Sequence, residues 1–314
     1  MKKKILLIGA GNIGFRHLQS LMKLKLDQID CLEINKKRIT NLEKFFIKSK
    51  NINFFSNINY LKKKYDVAID ATTSSTRFKI LDKIINKSKI DNLLVEKFLF
   101  QNFKVYFKFQ NIIKKKKIKT FINCPMRTYE AFSFIKKKIS KKNFVLKVTG
   151  SNWNMCSNSI HYLDLFNFFD NDKKYTTISF LDNKIKKSKR KHFIEFNGKI
   201  YISSRKNHLL LEHNKEFKYN EKIEVFFKHS KIEVSFINNK VNLTLKSKNK
   251  KIKKYKFKLP FQSEETRKFV ENKMKVKLLN YNMSSKLHII LLTEFMNNYK
   301  KIKKSDNIIN CPIT

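Results

Sequence analysis

Glycine, proline and cysteine are all scarce in this chain of 314 residues, which contains only 5, 3 and 4 of them, and arginine supplies only seven of the 70 basic residues. The cysteines at positions 31, 124, 156 and 311 form no Cys-x-x-Cys pair. The sequence therefore predicts neither a zinc site nor a disulfide framework, and it favours a reducing, cytoplasmic compartment. The apolar run that ends at Ile8 is too short for a signal peptide. No run reaches the roughly 18 residues that cross a bilayer, so we expect no membrane insertion.

Lysine, by contrast, is abundant and gives the chain a formal net charge of +45. This charge indicates either a nucleic-acid or membrane-surface binder, or a lysine-rich solvent surface that reflects A- and T-rich codons. The lysine runs are spread over the whole chain, no known nucleic-acid recognition module is evident, and lysine is poorly suited to reading base edges. We therefore expect no specific nucleic-acid partner. The remaining role for the charge is attraction of an anionic substrate.

Strand-like and helix-like segments alternate over the first 122 residues. The strand-like segments are short and apolar, and the helix-like segments carry apolar residues at helical spacing. This alternation predicts a mostly parallel sheet with right-handed crossovers. The predicted strands lie near 3–8, 29–34, 52–55, 67–70 and 93–96, and the predicted helices near 12–23, 36–48, 75–86 and 102–117.

From about residue 123 the pattern changes to period-two segments separated by turn formers such as Asn197-Gly198 and Asn238-Asn239, which predicts an antiparallel sheet. We therefore place the domain boundary between 122 and 123, with a second domain over 123–314 whose last helices could pack back on the first. The predicted strands are 176–181, 192–196, 199–203, 209–213, 223–227, 231–236, 241–245 and 251–259, and the predicted helices are 128–141, 157–169, 262–279 and 284–299.

A glycine motif, Gly9-Ala10-Gly11-Asn12-Ile13-Gly14, follows the first strand and opens the first helix. This G-x-G-x-x-G spacing is typical of dinucleotide binding in that context. The first glycine makes the tight turn, the second lets the backbone approach a pyrophosphate, and the third lets helix and strand pack closely. The helix N-terminus then offers free N–H groups to the phosphates.

Glu33 lies 19 residues after Gly14, at the end of the second strand. A carboxylate there accepts hydrogen bonds from the adenosine ribose and repels a 2′-phosphate, so NAD is favoured over NADP. Lys36, Lys37 and Arg38 follow at once and could weaken that repulsion.

Two further strand ends carry polar side chains that we expect at the same edge of the sheet. Thr72, Thr73 and Ser74 follow the strand that ends at Asp70, and Glu96-Lys97 lies at the end of the next predicted strand. Ligands bind at the carboxyl ends of strands in open parallel sheets, so these residues are predicted to bind the cofactor.

With these segments the chain resembles the glucose–fructose oxidoreductase, inositol dehydrogenase and MocA (Gfo/Idh/MocA) family of NAD(P)-dependent oxidoreductases. The segments that carry the resemblance are GAGNIGFRHL, ATTSSTR, VEKF, NCPMR and NWNMCSNSIHYLD. The resemblance implies an N-terminal Rossmann domain and a C-terminal α/β domain with an open, mainly antiparallel sheet, through which family members commonly form homo-oligomers. It also implies hydride transfer to or from hydroxyl-bearing carbons of sugars or nucleotide sugars, with a further likeness to members of bacterial surface-polysaccharide synthesis.

The resemblance assigns two catalytic residues. Lys97 matches the lysine that orients the substrate hydroxyl, and His161 matches the acid/base histidine. Phe98 stands where the family has proline, and Ser157 stands where it has an aspartate four residues before the histidine. A histidine titrates at about pH 6.5, close to working conditions, so the acid/base role suits its chemistry.

Five residues near His161 in the sequence or in the family pattern are candidate substrate ligands: Arg127, Trp153, Asn154, Asn158 and Asp164. Asp164 could tune the His161 imidazole or serve only in packing. Trp153 could stack on a sugar or lie in the core. Arg127 could bind a carboxylate or phosphate through its bidentate fork, or form a structural salt bridge.

The departures from the family pattern at Phe98 and Ser157 leave a second hypothesis open. The chain could be a dinucleotide-binding sensor or a partner subunit that keeps the fold without the reaction.

Overall fold

The computed structural model describes residues 3–170, 172, 174–247, 251–271 and 277–314, with 262 and 263 described by their backbone alone. Within it, the chain divides into two compact units. One comprises Met1–Asn123 and Pro260–Ser285, and the other comprises Cys124–Leu259 and Lys286–Thr314. Residues 260–285 thus belong to the first unit although they follow most of the second in sequence.

In the described part of the first unit, six parallel strands form one sheet in the order β3-β2-β1-β4-β5-β6. This is the doubly wound order of dinucleotide-binding folds, with the strand order reversing beside β1. The strands are β1 (Lys4–Ile8), β2 (Gln28–Leu32), β3 (Ile52–Phe55), β4 (Lys64–Asp70), β5 (Lys89–Val95) and β6 (Lys119–Ile122). The helices are α1 (Asn12–Leu21), α2 (Lys36–Phe45), α3 (Arg77–Lys87), α4 (Phe103–Lys115) and, from the returning segment, α7 (Gln262–Val270).

The apolar runs of β1 and β4 are buried on both faces, which explains why they lack the alternation of a half-exposed strand. Leu18 and Leu21 of α1 share a buried cluster with Phe269 and Val270 at the end of α7. The returning segment is therefore part of the core of this unit. The helix predicted over 262–279 is α7, and residues 272–276 of that prediction lie outside the described residues.

In the described part of the second unit, eight strands form a mixed sheet in the order β16-β15-β14-β13-β7-β12-β11-β8. Of these pairings only β7 with β12 is parallel, and β9 and β10 form a separate two-stranded ladder. The strands are β7 (Phe144–Gly150), β8 (Thr176–Leu181), β9 (Lys186–Lys187), β10 (Ile194–Glu195), β11 (Gly198–Ser203), β12 (His208–His213), β13 (Lys222–Phe227), β14 (Ser230–Ile237), β15 (Lys240–Lys246) and β16 (Ile252–Lys258). The helices are α5 (Glu130–Ile139), α6 (Met155–Phe169) and α8 (Tyr281–Lys303), whose first five residues belong to the first unit.

The hairpin between β14 and β15 shows how sequence sets the register here. Asn238 and Asn239 both adopt positive φ angles, of 50° and 56°. A two-residue turn with this geometry matches the twist of the flanking strands, and asparagine tolerates it better than most residues. The predicted fold class, a parallel Rossmann sheet followed by a mainly antiparallel one, is confirmed. Strands β6, β7 and the two-residue β9 were not predicted.

Candidate functional site

The glycine-rich turn joins β1 to α1, and each of its three glycines meets different surroundings. Gly9 adopts φ +82°, which favours glycine. A Cβ on Gly14 would lie 2.0 Å from the carbonyl oxygen of Gly9, so no side chain fits there. A Cβ on Gly11 would meet nothing within 4 Å. The open space in front of Gly11 is what a pyrophosphate requires.

The N-terminus of α1 faces this open space. Gly11 is the N-cap residue, no side-chain hydrogen bond caps the helix, and its first turn carries no acidic residue. Its first N–H groups and the positive end of its dipole therefore suit a phosphate anion.

A cavity of about 970 Å³ adjoins the turn, and every residue that lines it belongs to the first unit. Its volume is in the range of small-molecule and cofactor sites. The cavity brings together five of the predicted cofactor residues, and the rest of its wall comes from the ends of β1, β2, β3 and β4, from Arg38 of α2 and from α3. The five are Gly9, Gly11, Glu33, Thr72 and Thr73. Asn12, Ile13, Gly14, Ser74, Glu96 and Lys97 are not among its lining residues.

Glu33 lies at the end of β2 and is only 4% exposed. Its carboxylate accepts hydrogen bonds from the backbone N–H of Ala10 at 2.8 Å and of Asn35 at 2.9 Å. Arg38 donates to the same carboxylate at 3.0 Å while remaining 45% exposed. The glycine-rich turn is thus tied to the carboxylate predicted to bind ribose, and the Arg38 guanidinium offsets its charge.

The segment after β4 is held by a buried ion pair. Arg77, at the start of α3, donates from Nε to Asp70 at 2.6 Å, and both side chains are at most 1% exposed. The other guanidinium nitrogens donate to the carbonyl oxygens of Thr72, Phe98 and Leu99. Arg77 therefore fixes the two loops that carry Thr72 and Lys97. Ser74 is 4% exposed and lies within hydrogen-bond distance of Gln101 rather than lining the cavity.

Glu96 follows β5 within a network of buried side chains. His17 of α1 is fully buried and lies 2.9 Å from the Glu96 carboxylate, with its other ring nitrogen 2.8 Å from the Thr266 hydroxyl. Asn123 also donates to Glu96. Burial raises the pKa of Glu96, but the hydrogen bonds from His17 and Asn123, together with electrostatic attraction by His17 and Lys97, outweigh it, so the pKa is lowered. Lys97, the next residue, is half-buried and precedes a cis peptide bond to Phe98.

In the second unit, His161 lies on α6 and is half-buried. Ser157, one helical turn earlier, donates its hydroxyl proton to Glu195 at 2.5 Å, and the backbone N–H of Cys156 donates to the same carboxylate at 2.6 Å. Burial raises the pKa of Glu195, and these hydrogen bonds oppose it in part. Sequence reasoning missed Glu195, which has no nearby motif to mark it.

Arg127 and Asp164 form a buried ion pair at 3.2 Å, with side chains 5% and 1% exposed. The Arg127 guanidinium also lies 5.4 Å from the Phe168 ring. Of the two interpretations that the sequence left open, this geometry favours the structural salt bridge over a substrate contact. The Asp164 carboxylate, predicted to tune His161 or to serve only in packing, thus pairs with a buried cation.

Trp153 is 3% exposed, donates to the carbonyl oxygen of Glu212 at 3.0 Å and packs against Tyr162. This geometry favours the core interpretation over sugar stacking. Asn158 donates to the carbonyl oxygen of Trp153 at 2.7 Å, and Asn154 caps α6 with a φ of 54°. Both asparagines are half-buried and shape the start of α6.

Among the described residues, no helix is both long and apolar enough to span a membrane. The same residues contain no group of three or more His, Cys, Asp or Glu side chains that could hold a metal ion. All four cysteines are free and buried.

Comparison with known proteins agrees with this geometry. Residues 3–124 match the family model described as an oxidoreductase family with an NAD-binding Rossmann fold. The fold, the glycine-rich turn and this match together define the first unit as an NAD-binding Rossmann domain. This match is to the Gfo/Idh/MocA family, in agreement with the predicted resemblance, and its description as NAD-binding agrees with the predicted cofactor.

Solved structures extend the likeness of fold to nearly the whole chain. A dehydrogenase (MviM) from Clostridium difficile has a TM-score of 0.73 at 16% identity, covering 95% of this chain and 99% of that one. UDP-N-acetylglucosamine 3-dehydrogenase GnnA from Acidithiobacillus ferrooxidans has 0.70 at 12%, covering 93% and 96%. A super-repressor mutant of Gal80p from Saccharomyces cerevisiae has 0.71 at 11%, covering 96% and 97%. No curated protein sequence matches the chain.

Proposed function

We propose that this protein is an NAD(P)-dependent oxidoreductase that transfers a hydride to or from a hydroxyl-bearing carbon of a sugar or nucleotide sugar. The observation that carries the proposal is the cavity of about 970 Å³ that opens at Gly11 and the N-terminus of α1. A domain that only needed a tight strand–helix turn would require Gly9 and Gly14 but not the open space at Gly11. The name of one structural relative, a UDP-N-acetylglucosamine 3-dehydrogenase, supports the choice of a nucleotide sugar.

Four groups are proposed to hold the cofactor. The first-turn N–H groups of α1 take the pyrophosphate, Glu33 takes the ribose hydroxyls, Thr72 and Thr73 line the path toward the nicotinamide, and Glu96 anchors the loop that carries Lys97. When bound, NAD supplies the carbon that accepts or gives the hydride.

The proton side of the reaction is assigned to two residues. Lys97 donates a hydrogen bond to the substrate oxygen and so orients it. His161 takes the hydroxyl proton during oxidation and returns it during reduction. The net charge of +45 raises the local concentration of an anionic substrate such as a nucleotide sugar. We also propose a cytoplasmic location, which the four free cysteines support, and homo-oligomerisation through the open sheet of the second unit.

The test has two stages. NADH fluorescence first measures cofactor binding, and NADH absorbance then reports turnover over a panel of sugars and UDP-sugars in both directions. We expect Lys97→Ala and His161→Asn to abolish turnover but not NAD binding, whereas the exposed-residue controls Lys104→Ala and His229→Asn retain both. Failure to bind NAD would overturn the proposal.

NAD is proposed as the preferred cofactor, with NADP tolerated because Arg38 pairs with Glu33 at the ribose end of the cavity. We expect Arg38→Gln to weaken NADP binding more than NAD binding, because it leaves the Glu33 carboxylate to repel the 2′-phosphate. Lys44→Gln, at the other end of α2, is the matched control. Equal effects on both cofactors would contradict this assignment.

A regulatory function is the second candidate, and Phe98 and Ser157 at the family's proline and aspartate positions favour it. The structural relative described as a super-repressor supports the idea that this fold can serve regulation. NAD binding without turnover of any substrate in the panel, unchanged by Lys97→Ala, would favour this candidate.

A further inference from the structure

Glu195 is a buried carboxylate at the N-terminus of α6, the helix that carries His161. It is 6% exposed and accepts hydrogen bonds from the Cys156 N–H and the Ser157 hydroxyl. Its position is fixed by β10, where the N–H of Ile194 donates to the carbonyl oxygen of Pro312 at 2.9 Å. A carboxylate at this end of a helix also interacts favourably with the helix dipole.

Ser157 links this carboxylate to the face of α6 that carries His161. Residues four apart on a helix are neighbours on one face, so Ser157 and His161 lie one turn apart on the same side. A serine hydroxyl has one proton and two acceptor lone pairs. Because Ser157 donates its hydroxyl proton to Glu195, its oxygen lone pairs can accept a hydrogen bond from a donor on this face of α6, such as a ring N–H of His161.

Two other carboxylates of this unit lie on α6 or contact it close to His161. Asp164, three residues beyond His161, is paired with the Arg127 guanidinium. Glu221 accepts from the Tyr162 hydroxyl, on the residue next to His161. Of the titratable groups close to Glu195, Lys186 is cationic, and Cys156 and Cys311 are buried thiols whose pKa values are raised by burial.

We propose that Glu195, acting through Ser157, is the acidic partner of His161, so that the carboxylate absent at position 157 is supplied from β10. This inference rests on the proposed function, in which His161 exchanges the substrate proton. Glu195 is a positioning residue. The Ser157 hydroxyl donates to the Glu195 carboxylate, and its oxygen accepts a hydrogen bond from a ring N–H of His161. The negative charge of Glu195 therefore favours the protonated form of the His161 imidazole.

Histidine NMR tests the proposal without any substrate. The 314-residue chain has seven histidines, so a ¹³C-histidine-labelled sample gives a short list of titration curves, and His161→Gln identifies the His161 curve by its loss. We expect Glu195→Gln to lower the His161 pKa by about one pH unit, in line with the loss of a nearby opposite charge. Ser157→Ala should lower it in the same direction and keep the Glu195 carboxylate.

Two further variants complete the design. Glu130→Gln removes an exposed carboxylate from the first turn of α5 and should leave the His161 curve unchanged. The double variant Glu195→Gln with Ser157→Asp returns a carboxylate to the position one turn before His161 and should restore its pKa. A His161 pKa that is the same in wild type, Glu195→Gln and Ser157→Ala overturns the inference, as does an equal fall in Glu130→Gln.

The outcome separates from that of the proposed function. A lowered His161 pKa together with no turnover of any sugar would retain the Glu195–His161 relationship and remove the enzyme proposal. Turnover of a sugar together with an unchanged His161 pKa would support the proposed enzyme function and overturn the Glu195–His161 inference.

Discussion

The Arg77 guanidinium donates from Nε to the Asp70 carboxylate at 2.6 Å, and both side chains are at most 1% exposed. The same guanidinium binds the backbone carbonyl oxygens of Thr72, Phe98 and Leu99. One side chain at the start of α3 thus fixes two loops at the carboxyl edge of the parallel sheet. Arginine suits this position because its planar fork offers five donors, whereas a lysine ammonium offers three at one point.

We expect Arg77→Lys to lower the free energy of unfolding by about 1–3 kcal/mol, because lysine keeps the charge beside Asp70 but leaves buried carbonyl oxygens without a donor. It should also weaken NAD binding, because the loop that carries Thr72 loses its anchor. Urea denaturation and NADH fluorescence measure the two effects. The exposed Arg205→Lys is the control, and an unfolding free energy equal to that control would contradict the role given to Arg77.

Gly11 and Gly14 offer a matched pair of substitutions, because they lie three residues apart but have different surroundings. Gly14→Ala should destabilise the protein strongly, because its Cβ would lie 2.0 Å from the Gly9 carbonyl oxygen. Gly11→Ala meets no atom within 4 Å, so we expect the unfolding free energy to stay within about 0.5 kcal/mol of wild type. Its methyl group would nevertheless occupy the space proposed for the pyrophosphate.

NAD binding by Gly11→Ala therefore tests whether the pyrophosphate binds in the space in front of Gly11. We expect a loss of affinity of at least about tenfold, measured by NADH fluorescence on protein whose melting temperature matches wild type. Unchanged affinity in the folded Gly11→Ala protein would show that the cofactor does not approach the backbone there.

The glycine-rich turn and the Rossmann half of the fold could be predicted from sequence because their determinants are local. Gly9, Gly11 and Gly14 lie within six residues, directly between a buried strand and an amphipathic helix. The central strand β7 was also accessible in principle, since Phe144, Leu146 and Val148 alternate as buried residues along it. This alternation lies in a single short segment, well before the series of period-two segments from which the antiparallel sheet was predicted.

The partners of the second unit's polar residues could not be predicted in this way. Glu195 meets Ser157 across 38 positions, and Arg127 meets Asn167 across 40. Which polar side chains meet over such separations depends on how the strands and helices pack, and neither the charge nor the type of a residue indicates its partner. The sequence around Trp153 likewise does not distinguish a tryptophan that stacks on a sugar from one that packs in the core.

The Arg127–Asp164 pair gives the two interpretations of Arg127 different consequences. If the pair is structural, Asp164→Asn leaves a buried guanidinium without its counter-charge and should cost about 3–5 kcal/mol of unfolding free energy. If Arg127 binds substrate, its removal should instead raise KM and leave stability near wild type. We expect the first result for Asp164→Asn and also for Arg127→Gln, measured by urea denaturation. Asp306→Asn, an exposed carboxylate, is the control.

His213 predicts a pH dependence of stability. Burial first, and then the nearby Lys186 ammonium, lower the pKa of His213 to about 4 from its ordinary value of 6.5. Its ring also lies 2.8 Å from the Asn197 side-chain oxygen. Between these two pKa values the unfolded chain binds a proton that the folded chain excludes, so protons favour unfolding. The stability due to neutral His213 is therefore present above about pH 6.5 and is lost as the pH falls toward 4.

We expect the free energy of unfolding to fall between pH 7 and pH 4.5 in wild type, and to fall less in His213→Gln, which cannot take up the proton. Urea denaturation at a series of pH values measures the difference, with the exposed His229→Gln as the matched control. Because other groups titrate over the same range, the comparison of slopes matters more than either curve alone. Identical slopes for wild type and His213→Gln would contradict the lowered pKa, and a slope reduced only in His213→Gln would assign that part of the acid sensitivity to this buried ring.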